Sequence, residues 1–414
     1  MSPNKTVMNE NSRHSSDQLA VLTVGLGSVA TTLIAGVAAI RRGWAQPIGS
    51  LTQMGILESG PEPKKRISEA LSLPSLDQLV FGAWDIFPQN AYESALKARV
   101  LDPQLLEKLK PYLRKIHPMK GVFDPRYLKM LSGPHIKKKR NQSALISDVR
   151  KDIRGFLKKN HCQRAVMVVA SSTEIHHNKK VSGASPTEIY MRAALLEGVP
   201  VANATPNRWR DEKALFSLAR ATNTPFAGSD LKTGQTLIKT VVASGLRRRH
   251  LGVKGWFSTN ILGNQDGWVL SDRGAFETKR ISKEEGLQRI LSATEQPDLY
   301  RNLTHLIEIN YYPPKGDNKE GWDNIDLFGW LGYPMQLKIN FLCRDSILAA
   351  PLVLDLVLFL DWAKRQGMSG PQDWLGFYFK SPMALGMNPS HDLWVQYEAL
   401  QKTIQQHKNS KGGD

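Results

Sequence analysis

A buried-looking strand that runs directly into a glycine turn and a helix is the feature that most restricts the fold of this chain. Residues 21–24 (Val-Leu-Thr-Val) are apolar enough for a buried parallel strand, and residues 25–30 follow with the pattern Gly-x-Gly-x-x-Ala. The missing side chains of Gly25 and Gly27 let the backbone approach a pyrophosphate, whose charge the next helix N-terminus favours. We therefore predict a dinucleotide-binding turn that includes Ser28 and Val29.

The acidic partner of this turn is not where it usually stands. Dehydrogenases that carry the turn place a carboxylate about 20 residues later, where it binds ribose hydroxyls, but residues 44–52 contain none. The next predicted strand, at 78–82, leads to Asp85 at its carboxyl end, where open α/β sheets keep their ligand contacts. A third predicted strand, at 165–170, brings Ser171 and Ser172 to the same edge.

Strands and helices alternate along the first half of the chain, which is typical of an α/β protein with a doubly wound parallel sheet. Further elements of this pattern are a strand at 200–203 and helices at 91–100, 104–116, 144–160 and 186–197. After residue 228 the pattern changes to longer strands with one exposed face. These strands, at 254–261, 303–311 and 335–341, predict a separate sheet.

Composition indicates a large globular protein. The chain has 414 residues, of which 41% are hydrophobic, so it can bury a large core and we expect two domains. Its two cysteines, Cys162 and Cys343, are too few for a disulfide framework and fit a reducing cytoplasm. Residues 21–40 are interrupted by glycines and hydroxyl residues, and residues 348–362 are too short to span a membrane. We predict no transmembrane segment.

The net charge of +17 indicates either an anionic binding partner or an anionic substrate. Basic clusters at 136–140 and 247–250 could contact nucleic-acid phosphates. No zinc pattern, stacking motif or aromatic interleaving accompanies them, and the same charge suits a funnel for a small anionic substrate. We predict a small-molecule substrate and no nucleic-acid partner.

Two glycine-punctuated polar loops, at 228–236 and 262–267, indicate a site for a phosphorylated polyol. The first is not a P-loop, because it has one spacer residue too many and Gln235 stands where lysine is required. It still brings Asp230 and Thr233 to the start of a predicted helix, where phosphate or hydroxyl groups bind well.

Lysines and carboxylates that could move protons follow these loops. Lys279 and Lys283 are four residues apart and would share one face of a helix. Lys319 follows in a predicted polar loop, at 317–319, and Lys380 stands in an aromatic segment, at 376–382. Asp345 begins a predicted helix, at 345–365, that is apolar nearly all round and therefore buried.

Taken together, these motifs resemble the inositol-3-phosphate synthases, also called myo-inositol-1-phosphate synthases, of the shorter prokaryotic type. The resemblance covers most of residues 20–385. The motifs that carry it stand in the family's order at 49–53, 82–86, 196–200, 230–236, 262–267, 281–283, 345–351 and 379–382. One departure is that residues 170–175 read Ala-Ser-Ser-Thr-Glu-Ile instead of the family's Thr-Ala-Asn-Thr-Glu-Arg.

The resemblance implies an enzyme of inositol and phospholipid biosynthesis, an isomerase of the intramolecular lyase class. With NAD as cofactor it would convert D-glucose 6-phosphate to 1D-myo-inositol 3-phosphate by oxidation at carbon 5, enolisation, intramolecular aldol cyclisation and re-reduction. The implied catalytic residues are Lys279, Lys319, Lys380, Lys283 and Asp230. The implied substrate contacts are Thr233, Asn264, Asp266 and Lys283. The implied cofactor contacts are Gly25, Gly27, Ser28, Val29, Asp85, Ser171, Ser172, Asp230 and Asp345.

The predicted architecture is a Rossmann-like domain built from both ends of the chain, at 18–228 and 338–400. A catalytic and tetramerisation domain, at 229–337, interrupts it, and the tails at 1–17 and 401–414 are flexible. The family implies a homotetramer. No metal site is predicted at His176 and His177, which have no Cys nearby to complete a ligand set.

Two other classes of function stay open. A related NAD-dependent sugar-phosphate cyclase or dehydrogenase could use the same scaffold on another substrate. The protein could also be a non-catalytic NAD-binding regulator or a basic nucleic-acid binder, but such proteins are expected to lose the family's lysines, and none is missing here.

Overall fold

The protein is built around two β-sheets of different kinds. The computed structural model describes residues 17–57, 64–138, 141–175, 183–264, 267–268, 286–385 and 389–409. In these residues a seven-stranded sheet and a four-stranded sheet are present, together with a small two-stranded ribbon. The ribbon pairs β2 (Ile56–Leu57) with β3 (Lys65–Arg66).

All strands of the large sheet are parallel, and their order is β5-β4-β1-β6-β7-β8-β13. The strands are β1 (Gln18–Val24), β4 (Leu79–Asp85), β5 (Met119–Lys120), β6 (Cys162–Val169), β7 (Val201–Asn203), β8 (Pro225–Gly228) and β13 (Gly370–Pro371). Without β13 this is the strand order of a Rossmann fold, in which the order reverses beside β1. The predicted fold class is therefore confirmed.

Helices cover both faces of the large sheet. The helices that lie wholly within the described residues are α1 (Ser28–Arg41), α2 (Leu51–Met54), α3 (Ile67–Ala70), α4 (Ala91–Ala98), α5 (Pro103–Leu113), α6 (Gln142–Lys159), α7 (Pro186–Leu196), α8 (Glu212–Ala221), α9 (Gly234–Arg248), α10 (Pro297–Tyr300), α11 (Asp345–Arg365) and α12 (Leu393–Asn409). One hydrophobic cluster joins the sheet to α1, α4, α5 and α11, and a second joins its other face to α6, α7 and α8.

The smaller sheet has the order β10-β9-β11-β12 and is mostly antiparallel. Its strands are β9 (Gly252–Leu262), β10 (Thr304–Tyr311), β11 (Asn318–Phe328) and β12 (Pro334–Arg344). Helix α9 packs on one face, where buried residues of β9 and β11 form a third hydrophobic cluster. The other face carries exposed side chains.

Strand β11 was not predicted, and the prediction of a polar loop around Lys319 is wrong. The strand pairs along its whole length with β9 and β12. Its polar sequence hid an alternation in which Gly321, Asp323, Ile325 and Leu327 are buried and their neighbours are not. Two of the four inward positions are glycine and aspartate, so the period of two did not appear as a hydrophobic pattern.

Helix α11 returns the chain from the small sheet to the large one, as predicted. By length and composition alone it could cross a membrane, but 78% of its most apolar window is buried inside the protein, as in a core helix. Its Asp355 is fully buried and accepts hydrogen bonds from Ser50, Thr52 and the backbone of Leu51, at 2.6 to 2.9 Å. This carboxylate anchors the polar segment 49–53 to the core.

The division into domains stays a prediction. Strand β12 belongs to the small sheet and ends at Arg344. An inserted unit defined by that sheet would therefore end after Arg344 and not at 337.

Candidate active site

The predicted glycine turn lies between β1 and α1. Gly25 has a φ of +98°, and a Cβ atom there would lie 2.9 Å from the carbonyl oxygen of Ala170, the residue that follows the neighbouring strand β6. Both the conformation and the close approach require glycine. Gly27 is the N-cap of α1, and no side chain caps the helix. The first amide groups of α1 are thus available to an anion.

Asp85 lies beside this turn at the end of β4. Its carboxylate accepts hydrogen bonds from the backbone N–H of Leu26 at 2.7 Å and of Phe87 at 3.0 Å. Burial raises the pKa of Asp85 above its usual range, although these hydrogen bonds oppose the shift. Because β4 is the direct neighbour of β1, Asp85 has the position of the ribose-binding acid in a Rossmann fold. A long insertion between the two strands explains why the acid is so late in the sequence.

A cavity of about 670 Å³ opens over the glycine turn. This volume is in the range of small-molecule and cofactor sites. The predicted residues that line it are Gly25, Gly27, Ser28, Asp85, Ser171, Ser172 and Asn264. At its other end the cavity reaches Gly316 and Asp317 of the small-sheet region.

Two lysine–carboxylate pairs lie on the adjoining segments. The Nζ atom of Lys380 is 3.0 Å from Asp230 Oδ1, and both side chains are buried. The Nζ atom of Lys319 is 2.6 Å from Asp345 Oδ2, and this pair is partly accessible. Buried ammonium groups need such partners, because an isolated charge is costly away from water.

The two pairs meet at the loop that precedes α9. Asp230 begins this loop, and Gly234, the first residue of α9, follows it with a φ of +55°. A Cβ atom at Gly234 would lie 2.5 Å from Asp345 Oδ1, so the carboxylate of the second pair packs directly against the loop. Glycine is therefore required at the start of α9.

The start of α9 has the features of an anion site. The helix begins at Gly234, and its N-cap residue Thr233 makes no side-chain capping hydrogen bond. No described group accepts a hydrogen bond from the backbone N–H of Gly234, Gln235 or Thr236, and all three residues are buried. Three such donors and the helix dipole favour a phosphate.

Asp317 was not among the predicted site residues. Its Oδ1 accepts a hydrogen bond from Asn264 at 2.8 Å, and its buried Oδ2 has no described hydrogen-bond partner. Burial raises its pKa, to which the charge of Asp345 adds, while Arg344 and Lys319 lower it. Its proximity to Lys319 in the sequence was the signal that could have identified it.

Glu174 is a second lining residue that the sequence reasoning did not single out. Burial raises the pKa of its carboxyl group to about 7, against hydrogen bonds from Ser185 and Thr187. Both hydrogen bonds from Thr187 measure 2.9 Å.

The remaining predicted residues are not at the cavity or cannot be placed. Val29 packs against the hydrophobic core and does not line the cavity. Lys279, Lys283 and Asp266 lie outside the described residues, so their predicted roles stay predictions. In the part of the chain that the structure describes, no group of three His, Cys, Asp or Glu residues could hold a metal.

The cavity fits a dinucleotide on three observations. The glycine turn offers backbone donors, Asp85 offers a carboxylate at the ribose position, and Asp317 Oδ2 is a buried acceptor with no donor among the described residues. Residues from the turn, from Ser171 and Ser172, and from Asp317 would hold NAD. Fold and cavity thus define an NAD-binding enzyme of the Rossmann type.

Comparison with known proteins identifies the family. The family model described as myo-inositol-1-phosphate synthase matches residues 19–405. Inositol-3-phosphate synthase 1 of Bacteroides thetaiotaomicron is 44% identical in an alignment 426 positions long. The alignment covers 98% of this chain and 99% of the relative. Isozyme 1 of Arabidopsis thaliana is 31% identical over 389 residues, 84% of this chain and 75% of the relative. The chain therefore belongs to the myo-inositol-1-phosphate synthase family.

Solved structures agree on the fold. The inositol-3-phosphate synthase of Caenorhabditis elegans matches with a TM-score of 0.85 at 24% identity, over 95% of this chain and 86% of that chain. A myo-inositol-1-phosphate synthase-related protein of Thermotoga maritima matches with a TM-score of 0.72 at 22% identity, over 94% and 98%. The predictions of the family, of an inositol-3-phosphate synthase and of NAD as cofactor are confirmed.

Lys232, inside the loop before α9, generates a prediction on stability. Burial lowers the pKa of its amine from 10.5 to about 7, with the charge of Asp392 opposing the shift. Between pH 7 and about 10 the unfolded chain keeps this proton and the folded protein does not, so stability rises with pH. The rise is at most about 1.4 kcal/mol per pH unit. We expect Lys232→Met to remove this rise in the free energy of unfolding, measured by urea unfolding at pH 7 and pH 9.

Lys108→Met is the matched control, because Lys108 is exposed and makes no described contact. It should keep the pH dependence of the unfolding free energy. An unchanged slope in Lys232→Met would contradict a neutral amine at this position.

Proposed function

We propose that the cavity, the two lysine–carboxylate pairs and the start of α9 together convert D-glucose 6-phosphate to 1D-myo-inositol 3-phosphate. The observation that carries this proposal is that both pairs adjoin one loop. This loop leads into three N–H groups at the start of α9 that have no hydrogen-bond acceptor among the described residues. A phosphorylated sugar held there would have its phosphate fixed and its hydroxyl groups close to two ammonium groups.

The substrate phosphate would bind at the start of α9. The N–H groups of Gly234, Gln235 and Thr236 would donate to its oxygens, with the hydroxyl of Thr233 beside them. A phosphate fixed in this way orients the carbon chain, which lowers the entropic cost of closing a six-membered ring.

The lysines would stabilise the negative charge that develops on substrate oxygens. Lys319 donates to an alkoxide or enolate oxygen, while Asp345 holds its ammonium group in place. Lys380, which is buried and paired with Asp230, also donates to a substrate oxygen. Fixed charges of this kind are effective because they need no reorganisation when the reaction occurs.

NAD, when bound, supplies a hydride acceptor for carbon 5 and later returns the hydride, so that no net redox change results. The chain's own contribution is to hold the cofactor through the glycine turn, Asp85 and Asp317. Ser171 and Ser172 offer hydroxyl groups on the same side.

The function is tested by incubating the purified protein with NAD and D-glucose 6-phosphate and separating the inositol phosphate isomers by chromatography. We expect 1D-myo-inositol 3-phosphate to form while NADH does not accumulate. Steady accumulation of NADH would instead indicate a sugar-phosphate dehydrogenase, and no turnover would favour a non-catalytic NAD-binding protein.

Lys319→Ala should reduce turnover by about 100-fold or more, because it removes a fixed cation from the developing charge. NAD affinity, measured by calorimetry, should change by less than about threefold. Lys213→Ala, at an exposed lysine of α8, should behave like the unchanged protein. Near-normal turnover in Lys319→Ala would remove this residue from the mechanism, and an equal loss of NAD binding would make it structural.

A homotetramer is also proposed, with the open face of the small sheet as an interface between copies of this chain. Each strand contributes an apolar side chain to that face: Leu306, Phe257, Trp322 and Leu342. Phe257 and Trp322 are in edge contact at 5.3 Å, and Leu342 is 63% exposed. Because β-sheets usually bury an apolar face, a second copy would cover it.

Leu342→Asp should shift the protein to smaller assemblies in light scattering coupled to gel filtration, because it places a charge in the apolar contact. Val395→Asp, on the exposed side of α12, should leave the mass unchanged. A wild-type protein that is monomeric at micromolar concentration would contradict the proposed interface.

The proposal extends to the cellular location and the pathway of the enzyme. The cysteines Cys162 and Cys343 are free, which suits a cytoplasmic enzyme. A product of this kind would feed inositol phospholipid synthesis. The inserted small-sheet unit is proposed as the catalytic and assembly domain.

A further inference from the structure

We propose that Asp323, on the small sheet, is a positioning residue for the phosphate site at the start of α9. The inference rests on the proposed function, since it concerns the site where the substrate phosphate would bind. Asp323 is far from α9 in the sequence and does not belong to any motif that predicted the site.

Asp323 lies in a buried polar network under α9. Its Oδ1 accepts hydrogen bonds from Trp256 Nε1 at 2.7 Å and from Ser258 Oγ at 2.6 Å. Its Oδ2 accepts one from Gln235 Nε2 at 3.0 Å. The side chain is 2% exposed, and no described lysine or arginine forms an ion pair with it.

Gln235 connects this network to the phosphate site. Its backbone N–H is one of the three donors for which the described part of the chain offers no acceptor, and its side chain points to the sheet. There its Oε1 accepts from Asn260, and its Nε2 is also 3.3 Å from Thr259 O and 3.2 Å from Trp322 O. Because both Nε2 and Oε1 of Gln235 are held by the sheet, the first turn of α9 is held in position as well.

The sheet provides the space for this side chain at Gly321. A Cβ atom there would lie 3.3 Å from Cβ of Gln235 and 3.5 Å from its Cγ and Cδ. Gly321 is an inward-facing position of β11, two residues before Asp323. The missing side chain of Gly321 thus leaves space for the side chain of Gln235, and Asp323 accepts a hydrogen bond from its amide.

A carboxylate is required here because it accepts hydrogen bonds on both oxygens. An amide in the same place has only one acceptor atom. In one orientation asparagine would face Gln235 with its own N–H groups, and in the other it would face Trp256 and Ser258 with them. Either way one set of donors loses its partner.

This chemistry separates a positioning role from a stabilising one. A buried carboxylate held only by neutral donors is not a favourable contribution to stability, because its desolvation is costly. Replacing it by a neutral amide removes that desolvation cost but leaves one set of donors without a partner. Because the two effects oppose each other, the net change in stability should be small. The first turn of α9 should shift, and with it the three donors.

Asp323→Asn is the test. We expect the KM for D-glucose 6-phosphate to rise about tenfold or more, as expected for the loss of a hydrogen bond to a charged group, with a smaller change in kcat. The dissociation constant of inorganic phosphate, measured by calorimetry, should rise by a similar factor. NAD affinity and the thermal unfolding temperature should stay near the wild-type values.

Asp326→Asn is the matched control. Asp326 lies on the same strand, but its carboxylate is exposed and bonds only to Asn324 and Gln336 among the described residues. This variant should bind phosphate as the wild type does.

Two results would overturn the proposal. Unchanged KM and phosphate affinity in Asp323→Asn would show that the carboxylate does not position the site. Parallel losses of phosphate binding, NAD binding and thermal stability would show a structural role only. Phosphate binding is measured without turnover, so a wild-type protein that makes no inositol phosphate would contradict the proposed function while Asp323 could still be judged.

Discussion

The backbone pairing between residues 229–232 and 378–383 is the constraint on which the rest of the site depends. Ser229 donates to Ser381 O at 2.7 Å, Lys380 to Asp230 O at 2.7 Å and Lys232 to Tyr378 O at 2.8 Å. These bonds join the loop before α9 to a segment near the end of the chain. They place the Asp230 and Lys380 side chains side by side, so one short ladder positions a buried ion pair and the start of the phosphate-binding helix together.

The site combines three kinds of polar group. The glycine turn and the start of α9 offer backbone donors, the Lys319 and Lys380 pairs offer ammonium groups, and Asp85 and Asp317 offer acceptors. A phosphorylated sugar and a dinucleotide need all three, because both carry phosphates and hydroxyl groups. Burial strengthens each interaction, since charges act over a lower dielectric inside the protein.

Local patterns predicted the frame of this arrangement well. The first glycine turn, the strand that ends at Asp85 and the buried helix α11 were found from apolar runs and glycine spacing, which are short-range signals. Strand β11 was missed, because its inward positions include Gly321 and Asp323 while its outward positions include Trp322, so apolar and polar residues do not alternate. Asp323 was missed because nothing in the sequence around it indicates that a buried amide faces it. Asp317 was missed although it stands two residues before Lys319.

By itself, the sequence determined that this chain forms a Rossmann-type sheet with a dinucleotide turn and carries the lysines of a known family. Such features are encoded locally, in the period of apolar residues and in glycines that a backbone conformation requires. Only the tertiary structure decided which lysine pairs with which carboxylate and that Asp85 stands beside β1. It also decided that the small sheet reaches under α9. These are contacts between segments up to about 150 residues apart, such as Lys380 with Asp230. Packing creates them, and no short-range pattern records them.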